Sequence, residues 1–329
     1  MILSAIAAAT TAMALATTVT MDGQAPSAAR TSPRTLESQR DLQGIWTNAT
    51  MTPLERPAEL AGKEFFTEAE AADYEKRMRE RNDADRRDSN AEADLAVGYN
   101  AAWWDRGTRI VSTRRTSLIV DPRDGRIPPL TPEAQRKAAA RAEARRLHPA
   151  DGPESTSLAD RCIVRGTAGP PMLPAGYNNT YQILQTPEHV AILIEMIHDA
   201  RIISLDARPH LAGKIRQWLG DSRGRWEGNT LVVDTTNFTD RTNFRGSGEH
   251  LRVVERFTRV DKDTLLYQFT VDDPQSFTRP WSAEIPMKRV EGPIFEYACH
   301  EGNYSMTNTL STVRDEEKAA DVAASRESR

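Results

Sequence analysis

Residues 181–205 read YQILQTPEHVAILIEMIHDARIISL, and the phase of their apolar residues decides the fold class. Tyr181 to Gln185 is a short β-prone run. Pro187-Glu188-His189-Val190 is a turn signal that leads into Ile192-Leu193-Ile194, and a third run spans Arg201 to Leu205. The same turn-then-strand unit recurs at Glu227-Gly228-Asn229-Thr230 before Leu231-Val232-Val233, and at Asp261-Lys262-Asp263-Thr264 before Leu265-Leu266-Tyr267. Leu251 to Val260, Trp281 to Met287 and Ile294 to His300 complete a set of about eight strands. That number suits a mainly β fold in which an antiparallel, lipocalin-like β-barrel closes around one small ligand. A β-sandwich is the alternative, because periodicity alone does not show closure.

Outward from this region the chain changes character. Ile2 to Val19 is small and apolar, precedes the first basic residue Arg30, and contains Ala14-Leu15-Ala16, which fits signal cleavage. Residues 1–25 are therefore expected to be a signal peptide, and the protein to be periplasmic or secreted. Residues 26–150 read as an N-terminal extension with short strands, Asp41 to Thr47 among them, and two charged helices. Thr67 with Glu70 matches a capping box with Phe66 as its apolar staple, and Thr131 followed by Pro132 opens the second helix. The barrel is expected over 151–312, with a disordered tail over 313–329.

Composition narrows the function classes. The 329 residues carry 43 basic and 47 acidic side chains, a net charge of −4 without the single-sign field that nucleic-acid binding needs. No second apolar run approaches the length of a membrane span. Cys162 and Cys299 are the two cysteines, suited in an oxidising compartment to one disulfide tying the loop before the strand-rich region to its last strand, or else to two buried thiols. They do not suffice for a four-thiolate zinc site.

Chemistry-bearing residues interrupt the apolar runs. On a strand from 190 to 199, Ile192, Ile194, Met196 and His198 share one face and Glu195 and Asp199 the other. His198 is a candidate acid, base or metal ligand there, with Asp199 beside it. His300 and Glu301 end the last expected strand, and convergence of the two strand ends would group two imidazoles with two carboxylates. A divalent metal is a secondary expectation, since no H-x-x-x-H spacing is present; no cofactor is expected. Glu255 shares a face with Leu251, Val253 and Phe257, as a buried carboxylate or as the outer partner of Arg252, Arg256 or Arg259. Tyr177, Asn178, Arg201, Arg223, Trp226 and Tyr304 are candidate ligand contacts. The glycines of 220–228 lack the strand-to-helix setting of a phosphate loop, and no serine sits in a G-x-S-x-G elbow.

GDSRGRWEGNTLVVDTTNF (220–238), VVERFTRVDKDTL (253–265) and EYACHEGNY (296–304) resemble an uncharacterised family of secreted bacterial proteins, the likeness covering Tyr177 to Tyr304. The resemblance implies export and transfers no activity. Residue chemistry then supports an exported acid–base enzyme of the lyase, isomerase or hydratase type, with His198 and His300 moving protons. The alternative is a lipocalin-like carrier that binds an apolar small molecule without changing it.

Overall fold

A computed structural model describes residues 40–86, 99–241 and 244–327, all within one compact unit. The expected signal peptide lies outside the described residues. Nine strands close into a barrel in the order β1 (Gly44–Thr47), β3 (Thr180–Gln185), β4 (His189–Ile194), β5 (Ala200–Ser204), β6 (Asp221–Glu227), β7 (Thr230–Thr236), β8 (Arg252–Arg259), β9 (Thr264–Asp272) and β10 (Trp281–Arg289). Closure is made by β10 returning to β1, with Trp46 opposite Arg289 and Thr47 opposite Lys288. A short β2 (Ile119–Asp121) pairs with the other end of β10. The barrel is antiparallel except at one seam, where β5 and β6 meet in a parallel bridge between Ser204 and Arg223.

The strand pattern follows from alternation. Val190, Ile192 and Ile194 point inward and are fully buried, each contributing roughly 1.5–3 kcal/mol by leaving water. The interior is filled by large side chains, including Trp46, Tyr181, Phe257, Tyr267, Phe269 and Trp281. Neighbouring rings pack at 4.9 Å for Phe257 and Tyr267, and 5.7 Å edge-on for Phe269 and Trp281. At the parallel seam Gly224 is needed for a steric reason. A Cβ there would lie 2.7 Å from a Leu205 methyl and 2.8 Å from one of Ile203.

Three helices flank the barrel among the described residues. Helix α1 (Glu68–Asn82) has the expected capping box, with Glu70 N–H donating to Thr67 Oγ1 at 3.3 Å and Thr67 N–H donating to Glu70 Oε2 at 2.9 Å. Helix α2 (Pro132–Leu147) starts at Thr131, whose hydroxyl accepts from Ala134 N–H. Helix α3 (Ser305–Glu327) occupies the segment expected from residue 313 to be a disordered tail.

Several expectations need correction. The strand from 190 to 199 ends at Ile194, because Glu195 turns its carboxylate back to accept from Thr180 N–H and Phe295 N–H. Met196–His198 is then a 3-10 turn with Ile197 and His198 at φ 65° and 60°, so His198 does not continue the inward face. Ile294 to His300 is not a strand, since β10 already has β9 on one side and β1 and β2 on the other and offers no free edge. Cys162 and Cys299 do form a disulfide, with Cα atoms 5.8 Å apart, but it joins a loop to the segment after β10 and not to the sheet. β1, expected in the N-terminal extension, is a barrel strand.

Candidate functional site: an arginine-lined cleft beside the barrel plug

The loop from 167 to 173 enters the barrel from one end and plugs it. Ala168 and Met172 are fully buried in the barrel core. Two inward tyrosines hold the plug from below: Met172 N–H donates to Tyr267 Oη at 2.9 Å, and Tyr181 Oη donates to Thr167 O at 3.4 Å. Tyr267 in turn donates to Glu255 Oε1 at 2.8 Å, and Arg201 clamps the same carboxylate at 3.0 and 2.6 Å. Arg201 also donates to Ser222 Oγ, which bonds Thr235.

This ion pair lies inside the barrel, with Glu255 at 0 % and Arg201 at 4 % exposure. Burial alone would push the Arg201 pKa down, but the Glu255 charge and its hydrogen bonds outweigh this and raise it. Tyr267 is pushed far above its ordinary value by burial and by the Glu255 charge, which keeps its proton available to that carboxylate. Glu255 is thus a buried carboxylate, as one reading of its phase suggested. Its partner is Arg201, 54 residues away, and none of Arg252, Arg256 and Arg259.

Above the plug, the stretch from Glu154 to Leu173, the last turns of α2, and Phe238, Asp240, Arg241, Phe244 and Arg245 enclose a cleft of about 1090 Å³. Its charged lining is one-sided: Arg141, Arg145, Arg161, Arg165, Arg241 and Arg245 face two carboxylates, Glu154 and Asp240. Arg161 is 3.7 Å from Glu154, and Arg165 Nη1 donates to Tyr177 Oη at 2.8 Å. Tyr297 stands beside that pair, its pKa raised by burial and by Tyr177. Arg145, Arg241 and Arg245 have no carboxylate partner among the described residues. Leu158, Val164, Phe238 and Phe244 supply an apolar wall. His148 also lines the cleft, its Nδ1 2.8 Å from Asp151 Oδ2.

The residues singled out from sequence scatter around this site. Arg201 and Glu255 lie beneath the plug, and Tyr177 flanks the cleft through Arg165. Asn178 occupies a turn at φ 52°. His198, His300, Glu301 and Tyr304 are exposed; neither imidazole lines the cleft, and no hydrogen bond or ion pair joins them among the described residues. Asp199 is half-buried, and its pKa is raised by that burial. Trp226 is partly buried against the core, with Arg40 over its ring.

Arg223 belongs to a second polar network, on the outer face of the sheet. It lies 3.4 Å from Asp221 and 3.8 Å from Asp206. Asp221 Oδ2 also accepts from His210 Nδ1 and from Leu211 N–H, both at 2.9 Å, while Arg252 clamps Asp234 at 2.9 and 2.7 Å. Burial opposes the Asp221 charge, but Leu211, His210 and Arg223 together hold its pKa below the ordinary value. These bonds fasten the long β5–β6 connection to β6 and β7.

The cleft arginines went unread in the sequence, although a signal exists. They form three pairs four residues apart, at 141/145, 161/165 and 241/245. On α2 that spacing places both side chains on one face. Among the described residues no group of three or more His, Cys, Asp or Glu is placed to hold a metal ion, and no helix is long and apolar enough to cross a membrane. No family model, curated protein or solved structure matches the chain.

Proposed function

We propose that the protein binds a small organic anion in the arginine-lined cleft. The observation that carries this reading is the gathering of six arginines around one cleft in a chain whose net charge is −4. The guanidinium fork suits carboxylate, sulfonate or phosphate oxygens, and the apolar wall suits a hydrocarbon or aromatic body. The barrel interior is filled by its own side chains, which supports a site outside it over the interior site of a lipocalin-like carrier. In this reading the protein is exported and meets its ligand in the periplasm or outside the cell.

The test is a thermal-shift screen of aromatic and aliphatic carboxylates against their methyl esters. Binding to the folded state raises the melting temperature. Acids should raise it, and raised salt should reduce the effect; an equal rise with the esters contradicts the reading.

A second reading, acid–base chemistry on the bound anion, is favoured by the His148–Asp151 pair in the cleft. In this reading Nε2 takes a proton from the carbon next to a keto group of the anion, and the electron pair of the broken C–H bond moves onto the keto oxygen as an enolate. Its measurement is deuterium exchange at C3 of pyruvate, faster with protein than without and back to background in His148→Gln. Background exchange with the wild type removes it.

A further inference from the structure

A second cleft, of about 390 Å³, lies on the other side of the plug loop. Its charged lining residues are Arg81, Arg106 and Arg245, with no carboxylate among them. Arg106 stacks on Trp104, its guanidinium 4.1 Å from the ring centroid, and donates to Asn82 Oδ1. Arg81 has no acidic partner among the described residues. The two clefts share Thr167, Leu173 and Arg245.

The shared residues are unusual in two independent ways. Among the described residues the Thr167 hydroxyl is buried without a hydrogen-bond partner, although the Thr167 carbonyl is used by Tyr181 and Leu173. A buried hydroxyl left unpaired is costly, and its presence where two clefts meet points to a partner supplied from outside. Arg245 holds φ at 49°, a left-handed conformation unfavourable for a side chain of its size, and has no carboxylate partner among the described residues. Sparsely populated backbone conformations cluster at ligand clamps and switch regions.

We propose that the two clefts form one elongated site for a molecule with an acidic group at each end. One acid lies among the larger cleft's arginines, the other at Arg81 and Arg106, with Arg245 and the Thr167 hydroxyl meeting a polar group at the waist. This deepens the anion-binding reading and rests on it.

The experiment is a calorimetric titration of the full chain with linear dicarboxylates from succinate to dodecanedioate, beside hexanoate and dodecanoate as monocarboxylates. The wild type should show an optimum in dicarboxylate length, at which affinity exceeds that of the monocarboxylate of equal length by about tenfold or more. Arg81→Gln combined with Arg106→Gln should abolish that gain while leaving monocarboxylate affinity in place, which also reports that the variant is folded. Equal affinity of mono- and dicarboxylates in the wild type overturns the inference and leaves the anion site standing. Absence of binding by every acid overturns both. The wild-type comparison decides the matter even where the variant fails to fold.

Discussion

Arg201 and Glu255 meet inside the barrel because each occupies an inward phase of its strand, β5 and β8, and among the described residues each is the other's charge partner. Breaking a buried pair leaves a lone charge in a packed interior, so Arg201→Met should lower unfolding free energy by about 3–5 kcal/mol. Combining it with Glu255→Leu should recover most of that loss, since two apolar groups leave no charge uncompensated. Equilibrium urea unfolding of the three proteins checks both expectations. On the outer face, Asp221 and Asp234 have folded-state pKa values below their ordinary ones: burial opposes the charge, but hydrogen bonds and the charges of Arg223 and Arg252 outweigh it. A depressed carboxylate pKa gives stability that is present above the unfolded value, near pH ~4, and is lost as pH falls through the folded one. The melting temperature should hold at neutral pH and fall on acidification below that range. Asp234→Asn should flatten this acid limb, by less than about 1 kcal/mol because the pair with Arg252 is partly exposed. The inward phase of Glu255 was legible from its apolar neighbours, whereas Arg201 as its partner was not, because pairing across strands far apart in sequence leaves no periodic trace.

At the scale of elements, the disulfide is the tie that matters to the cleft. Cys162 lies between Arg161 and Arg165, and its bond to Cys299 closes a loop of 137 residues. Reduction, or Cys299→Ser, should cost roughly 2–5 kcal/mol of stability and weaken anion binding by loosening the arginine-bearing loop. A titration repeated after mild reduction of the still-folded protein separates the two effects; unchanged affinity would show that the loop keeps its shape without the tie. Most strands were legible because turn residues punctuate alternating apolar runs. β6 was not, because Asp221, Arg223, Gly224 and Arg225 disguise a strand whose inner face needs a glycine beneath Ile203 and Leu205. Ile294 to His300 misled in the opposite direction. It has strand-like composition, but strand formation needs a free edge, and the closure of β10 on β1 removes it.

Over the whole molecule, closure of the sheet and filling of its interior decide where a ligand can sit. A barrel packed with six large aromatic side chains around a buried ion pair has little space for cargo, so the cleft is built on the loop that plugs it and on the helix beside that loop. In the proposed reading the arginine-rich lining attracts anions to the cleft, an attraction that salt screens. The fold class was legible in the local pattern; the cleft was not, because its three arginine pairs are brought together only by tertiary folding, each looking alone like a solvated surface. The most direct test of the anion site is a titration with dodecanedioate at low and raised salt, run on the wild type and on Arg145→Ala combined with Arg241→Ala. The expected result is saturable binding that weakens with salt and falls by about tenfold or more in the variant, with the melting temperature of the unliganded protein unchanged. Absence of binding to the wild type, or equal affinity in the two proteins, would contradict it.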